Sequence, residues 1–138
     1  MNEMMRKGMF FILAAALLSA CQETLEEKAK RECEEYTFKN CPSPVGGSQD
    51  MWLDSMVFDK DSHTFKRYFR MTGALDNEEA FGRVDIREKL IDELRNTTSA
   101  QAYKDAGYNF AYYCRSGSEP DKILLEITLT PEDYRQQK

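Results

Sequence analysis

Four cysteines and a single histidine are the side chains of this 138-residue protein best suited to covalent or metal chemistry. Cys33, Cys41 and Cys114 follow the first cysteine, Cys21, and no pair has the Cys-x-x-Cys spacing of a redox-active thiolate. In an oxidising compartment these three thiols can form one internal disulfide and leave one thiol over. We predict a Cys33–Cys41 disulfide because Cys41 follows an expected chain reversal. Pairing of either with Cys114 stays an alternative.

The histidine, the cysteines and the acidic side chains do not form a pattern expected of a catalytic site. His63 is the only histidine and lies in a polar turn between two strand-like segments, so a nucleophile pair would need an exposed turn residue as its base. One histidine and three oxidisable cysteines are a poor ligand supply for zinc. Acidic neighbours such as Glu78 and Glu79 lie in a charge-rich segment typical of a solvated loop. We therefore predict no catalytic residue, no metal site and no cofactor.

The first 21 residues have the pattern of an export signal. Arg6 and Lys7 precede an apolar stretch, residues 8–18, that is too short to cross a hydrocarbon core of roughly 30 Å as a helix. The stretch ends in Leu18-Ser19-Ala20-Cys21, which resembles the lipobox of bacterial prolipoproteins. The resemblance implies that residues 1–20 are removed as a signal peptide and that Cys21 carries the lipid anchor. It places the protein in the cell envelope, at a periplasmic, outer-membrane or surface face.

Charge narrows the choice of partners. Removing residues 1–20 takes away two of the 19 basic and one of the 24 acidic side chains, leaving 17 and 23 and a formal charge of −6. An acidic surface repels nucleic-acid phosphates on average, so nucleic acid is excluded as a partner. Attraction to anionic lipid is weak for the same reason, and membrane contact depends on the lipid on Cys21. The length of the mature protein, residues 21–138, predicts a single domain.

Two helical segments are expected. Residues 21–38 favour an N-terminal helix that carries the anchor, because Leu25, Ala29 and Cys33 fall on one face. Residues 85–106 favour a second helical segment.

Each helical segment is followed by a predicted β-hairpin, the first over residues 51–72 and the second over residues 108–130. Strict alternation from Ile123 to Leu129 is the clearest strand pattern in the sequence. Residues 73–83 are predicted to be a loop, and residues 131–138 a polar tail.

Two helix-hairpin units predict an α+β fold in which a four-stranded antiparallel sheet has both helices packed on one face. With a Cys-Pro at positions 41 and 42 and a Thr-Pro-Glu-Asp-Tyr end at positions 130–134, the sequence also resembles small envelope lipoproteins of unknown function from Gram-negative bacteria. That resemblance implies no activity.

Strand alternation leaves one sheet face without a helix. The residues expected there are Lys66, Tyr68, Arg70, Tyr113 and Arg115, with Leu124 and Glu126 beside them. Tyrosine and arginine bury area while keeping a polar group, so they anchor protein interfaces and also suit sugar rings. Cross-strand aromatic pairs that only stabilise the sheet are the alternative. Arg67 interrupts the opposite, apolar face and is expected at the edge of the core with its aliphatic stem buried.

These observations indicate a non-enzymatic binding or adaptor module for an envelope protein, a peptide or a glycan. The alternative is a tethered inhibitor or immunity protein that acts against a hydrolase or a toxin.

Overall fold

The computed structural model describes residues 22–82 and 85–135. The strands are β1 Ser43–Pro44, β2 Met51–Asp59, β3 Thr64–Met71, β4 Asn109–Ser116 and β5 Ile123–Leu129. The helices are α1 Leu25–Asn40, α2 Glu79–Gly82, α3 Ile86–Asn96, α4 Gln101–Asp105 and α5 Pro131–Arg135, with 3₁₀ turns at Gly73–Leu75 and Thr98–Ala100. The predicted signal peptide and the lipid-bearing Cys21 lie outside the described residues.

Helix α1 begins at a capping box. The Thr24 hydroxyl accepts a hydrogen bond from the Glu27 N–H at 3.1 Å, and the Glu27 carboxylate accepts one from the Thr24 N–H at 3.2 Å. These bonds satisfy backbone donors that the first helical turn leaves free. Ala29 and Cys33 are buried on the face of α1 that packs on β2. Compared with the predicted segment 21–38, the helix begins later and continues to Asn40.

The sheet is five-stranded and mixed, in the order β1-β2-β3-β4-β5. Both predicted hairpins, β2–β3 and β4–β5, are antiparallel, and the α+β class is confirmed. The prediction of a four-stranded antiparallel sheet is wrong in two respects. Strands β3 and β4 are parallel, because residues 72–108 cross the sheet and bring the backbone to the starting end of β3. Strand β1, which lies between the predicted N-terminal helix and the first predicted hairpin, adds a fifth strand by pairing with β2.

The helices pack on one face of the sheet and enclose the core. From α4, Tyr103 packs edge-on against Phe65 with ring centroids 4.6 Å apart. From α5, Tyr134 packs edge-on against Phe110 at 5.9 Å. Helix α1 is tied to β2 by Thr37, whose hydroxyl bonds the backbone N–H and C=O of Met56 at 2.9 and 3.0 Å. Over the described residues, the result is a two-layer arrangement with the helices on one side of the sheet.

Two segments predicted to lack structure are ordered. In the predicted tail, α5 buries Tyr134, whose hydroxyl donates to the Tyr108 carbonyl at 2.9 Å. Asp133 accepts from the Thr130 N–H at 2.8 Å and pairs with Arg87 of α3 at 2.8 Å. In the predicted loop 73–83, a 3₁₀ turn and α2 form instead. The buried Tyr134 ring and the bonds of Asp133 thus hold α5 in place.

In the described ranges, no helix has the length and apolar character needed to cross a bilayer.

Candidate binding surfaces

The face of the sheet opposite the helices carries all five predicted binding residues. In the parallel register of β3 and β4, Tyr68 lies beside Tyr113 and Arg70 beside Arg115. Together with their nearest neighbours these residues form what we call the open face. Its members are Trp52, Asp54, Lys66, Tyr68, Arg70, Tyr113, Arg115 and Glu126. The structure therefore brings the predicted residues together, although through a parallel pair of strands that the sequence did not indicate.

The centre of the open face is an aromatic stack. The rings of Tyr68 and Tyr113 are nearly parallel, at 14°, with centroids 5.1 Å apart. Both side chains are half-buried, since neighbouring strands cover their edges while one side of the pair faces solvent. Such a pair presents a flat apolar surface with two hydroxyl groups.

One carboxylate organises the two arginines of this face. The pairing of β2 with β3 shifts between Leu53 and Ser55, which makes Asp54 a bulge residue. Its carboxylate accepts from Arg70 Nε at 3.2 Å and from Arg115 Nη2 at 2.8 Å. The Arg70 guanidinium also lies over the Trp52 ring, 5.7 Å from its centroid. Simple alternation does not predict the place of Asp54, because the bulge interrupts it.

Lys66 completes the charged part of the open face. Its Nζ lies 3.4 Å from Asp59 Oδ2. Burial alone acts to lower the pKa of Lys66, but the hydrogen bond and the charge of Asp59 outweigh it and raise that pKa. Lys66 is therefore charged at neutral pH. The open face combines aromatic surface with both signs of charge, which suits a protein or a glycan better than an anionic polymer.

A second concave surface lies on the helix side of the sheet. Two adjoining cavities, each of about 330 Å³, lie between α1 and the α3–α4 segment and share Tyr36, Leu53 and Arg67. We call their combined surface the groove. Its remaining wall and floor residues include Cys33, Met56, Leu90, Tyr103 and Tyr112. Most of these side chains are apolar or aromatic.

Arg67 lies on the floor of the groove. Its guanidinium carbon is 5.9 Å from the centroid of the Tyr112 ring, and its side chain is half-buried. This arginine was expected at the edge of the core with its charge in water. Its position in the middle of a concave surface follows from β3 being an interior strand, with β2 on one side and β4 on the other.

Cys33, Cys41 and Cys114 are free thiols in the structure. Burial raises the pKa of Cys33 and that of Cys114 to about 11, so both are protonated at neutral pH. Cys33 lies within α1 and Cys41 caps its C-terminus. At about 1.5 Å per residue the helix separates them by roughly 12 Å, beyond the reach of a disulfide. The Cys33–Cys41 pairing stays a prediction and requires the last turns of α1 to open.

In residues 22–82 and 85–135, no three His, Cys, Asp or Glu side chains are grouped as the ligands of a metal ion would be. His63, in the turn between β2 and β3, bonds Glu26 of α1 at 2.7 Å and stacks on Tyr108 at 5.0 Å. This histidine joins the hairpin turn to the first helix.

The described residues thus form a two-layer α+β arrangement with an open aromatic face on one side of the sheet and a groove on the helix side. The protein belongs to the family described as a domain of unknown function (DUF8479), which matches residues 24–125. Comparison with curated protein sequences finds no match.

Three solved structures share the fold. A candidate secreted protein from Pseudomonas aeruginosa has a TM-score of 0.62 at 9% identity, over 83% of this protein and 100% of that one. The type 2 secretion system pilotin EpsS from Vibrio vulnificus has a TM-score of 0.57 at 14% identity, over 82% and 94%. The type II secretion system pilotin AspS from Vibrio cholerae has 0.53 at 12%, over 79% and 91%. At these identities the likeness concerns the fold.

Proposed function

We propose that this protein is a non-enzymatic adaptor of the bacterial cell envelope, held to a membrane by lipid on Cys21, that binds an envelope protein through the open face. The observation that carries the proposal is the open face itself. It places an aromatic stack beside two arginines that share one carboxylate, on the sheet side away from every helix contact described above.

The composition of the open face favours a protein partner. Tyrosine, tryptophan and arginine dominate the energetics of protein interfaces because they desolvate a large area and keep a hydrogen-bonding group. Here Arg70 and Arg115 lie next to the Tyr68–Tyr113 pair, and Trp52 lies beside Arg70. Asp54 holds the two arginines in place before a partner arrives, which reduces the entropy lost on binding.

The structural neighbours support an envelope location and an adaptor role. Two of them are pilotins of type 2 secretion systems, and a third is a candidate secreted protein. By analogy with the two pilotins, the partner that we propose is a protein component of an envelope assembly, such as a secretion system. The lipid supplies the membrane attachment, since each buried lipid methylene contributes about 0.8 kcal/mol.

Photo-crosslinking in intact cells tests the proposal. A photoreactive residue replaces Tyr113 in the full lipidated protein, and captured molecules are identified by mass spectrometry. We expect one dominant envelope protein. Arg115→Ala in the same protein should reduce its capture.

The matched control places the photoreactive residue at Lys30, whose side chain on α1 is 68% exposed and away from the open face. Capture of the same protein from both positions indicates nonspecific proximity and contradicts the proposal. Capture of glycan alone at position 113 replaces the protein partner with a carbohydrate. Capture of nothing there leaves the open face with a purely structural role.

A further inference from the structure

Arg67 is a cation without a carboxylate partner in the part of the protein that the structure describes. The contact assigned to its guanidinium is the Tyr112 ring at 5.9 Å. By comparison, Arg70 and Arg115 on the other sheet face both bond Asp54. An arginine held half-buried among apolar side chains gains strongly from a carboxylate, because the pair forms in a poorly solvated site.

Within the described residues, neither acidic side chain of the groove, Glu32 or Glu93, forms an ion pair with Arg67. Glu32 accepts from the Tyr103 hydroxyl at 2.7 Å and lies 3.8 Å from Lys28. Glu93 lines the second cavity, which Arg67 also lines, but the two side chains form no ion pair. The groove lining thus carries one positive charge, on Arg67, and two negative charges, on Glu32 and Glu93, so the favourable place for an incoming carboxylate is beside Arg67.

The rest of the groove is built for apolar side chains. Tyr36, Leu53 and Tyr103 flank Arg67, and Tyr36 is 42% exposed although it belongs to the apolar side of α1. Two adjoining cavities of about 330 Å³ each provide room for several side chains of a bound segment. Arginine surrounded by tyrosines is the composition of an interface hot spot.

We infer that the groove is a second binding site, which takes a segment of a partner protein that presents apolar side chains around one carboxylate, with that carboxylate paired to Arg67. This inference rests on the proposed function in that it requires a protein partner, and it adds a site on the helix side of the sheet. The carboxylate belongs to an aspartate, to a glutamate or to the free carboxyl terminus of the partner.

The first step of the test locates the segment. A photoreactive residue replaces Tyr36 in the full lipidated protein, cells are irradiated, and the crosslinked peptide is sequenced by mass spectrometry. Position 30, on the outer side of α1, is the matched control. We expect capture at position 36 only, of a peptide with apolar residues around one carboxylate.

The second step tests the ion pair with that peptide as the probe. The synthetic peptide and its amide counterpart, with Asp→Asn or Glu→Gln or an amidated C-terminus, are titrated into the lipidated protein in detergent. A charge-assisted hydrogen bond contributes about 1.5–3 kcal/mol, so the amide peptide should bind roughly ten- to a hundredfold more weakly. With Arg67→Met the two peptides should bind equally. Arg67→Lys should restore part of the difference.

The outcomes separate this inference from the proposed function. The inference is overturned if the captured peptide has no carboxylate or if a lipid is captured instead. It is also overturned if the carboxylate and amide peptides differ in affinity for Arg67→Met as much as they do for wild type. Capture at position 113 with none at position 36 contradicts the inference that the groove is a binding site but leaves the adaptor function in place. Capture at neither position contradicts both the inference and the proposed function. Thermal unfolding of Arg67→Met shows whether the variant retains the wild-type fold, and Arg67→Lys keeps the test valid if it does not.

Discussion

Tyr68 and Tyr113 stack across the parallel strands β3 and β4, with ring centroids 5.1 Å apart, although they belong to different halves of the protein. The open face is therefore a joint product of both halves, and neither hairpin forms it alone.

The stack has a measurable structural contribution. Aromatic pairs contribute about 0.5–1.5 kcal/mol beyond the area they bury, so a double-mutant cycle of Tyr68→Ala and Tyr113→Ala should show coupling of that size. Urea denaturation measures the free energy of unfolding of each variant. Tyr68→Ala combined with Tyr36→Ala, on the opposite sheet face, should be additive. Additivity within the Tyr68–Tyr113 pair would show that the stack has no coupling energy.

Replacing Asp54 should destabilise the domain. Asp54→Asn leaves Arg70 and Arg115 side by side without a counter-charge, and we expect a loss of about 1–2 kcal/mol in the free energy of unfolding, reduced from the fully buried case by partial exposure. Adding Arg115→Gln should recover part of the loss, because it removes one of the two like charges. Asp121→Asn, at an exposed position, is the control and should have no effect. Equal unfolding free energies for Asp54→Asn and wild type would contradict the proposed role.

Asp133 should make stability depend on pH in the acidic range. The Thr130 N–H, followed by Arg87, holds the pKa of the Asp133 carboxyl below its usual range. A lowered folded-state pKa contributes stability that is present above the unfolded-state pKa and is lost as pH falls through the folded-state value. Asp133→Asn should therefore lower the free energy of unfolding by about 1 kcal/mol at neutral pH, as loss of a helix cap does. This difference from wild type should shrink below about pH 4.

The control for this pH profile is Glu132→Gln, at the exposed neighbouring position. Thermal unfolding of the three proteins from pH 3 to pH 7 provides the comparison. A difference for Asp133→Asn that stays constant over this range contradicts the assignment of the effect to the charged carboxylate.

The C-terminal helix should contribute substantially to stability through one side chain. Tyr134→Ala removes a buried ring that packs against Phe110 and should cost about 3–5 kcal/mol. Tyr134→Phe removes only the hydrogen bonds to the Tyr108 and Lys104 carbonyls and should cost about 1 kcal/mol. Denaturant unfolding distinguishes the two. If Tyr134→Ala is as mild as Tyr134→Phe, the tail is dispensable.

Lipid attachment is tested at Cys21. Cys21→Ala should abolish incorporation of a clickable fatty acid and shift the protein from the membrane to the soluble fraction. Cys33→Ala is the matched control and should leave labelling unchanged. Labelling that persists in Cys21→Ala would show that the lipid is attached elsewhere or that the lipobox resemblance is misleading.

Local patterns predicted the elements well where a side-chain period was clear. The alternation from Ile123 to Leu129 predicts β5. The helical segment predicted from residue 85 matches the start of α3, where the Asp85 carboxylate accepts from the Glu88 N–H at 3.3 Å. Alternation also placed the five binding residues on one face, because side-chain direction along a strand depends only on local geometry.

What the sequence could not provide was the relation between distant segments. Whether β3 and β4 run parallel depends on where residues 72–108 cross, and no local pattern encodes that path. The bulge at Asp54 and the burial of Tyr134 likewise depend on tertiary packing. The sequence shows that Arg67 interrupts the apolar face, but its place in a groove depends on the positions of α1 and α4.

The parallel pairing of β3 with β4 has a consequence for the order of folding. Thr64 pairs with Asn109 and Met71 with Ser116. The central pair of strands therefore cannot form until the protein has been synthesised as far as β4, which is most of its length. Contacts between such distant residues slow folding, since loop closure precedes the favourable contacts. In the meantime the β2–β3 hairpin presents an unpaired strand edge that is prone to aggregation. Until β4 pairs with β3, its docking competes kinetically with binding of another molecule to the exposed edge of β3. A holding chaperone would act between formation of the β2–β3 hairpin and the docking of β4.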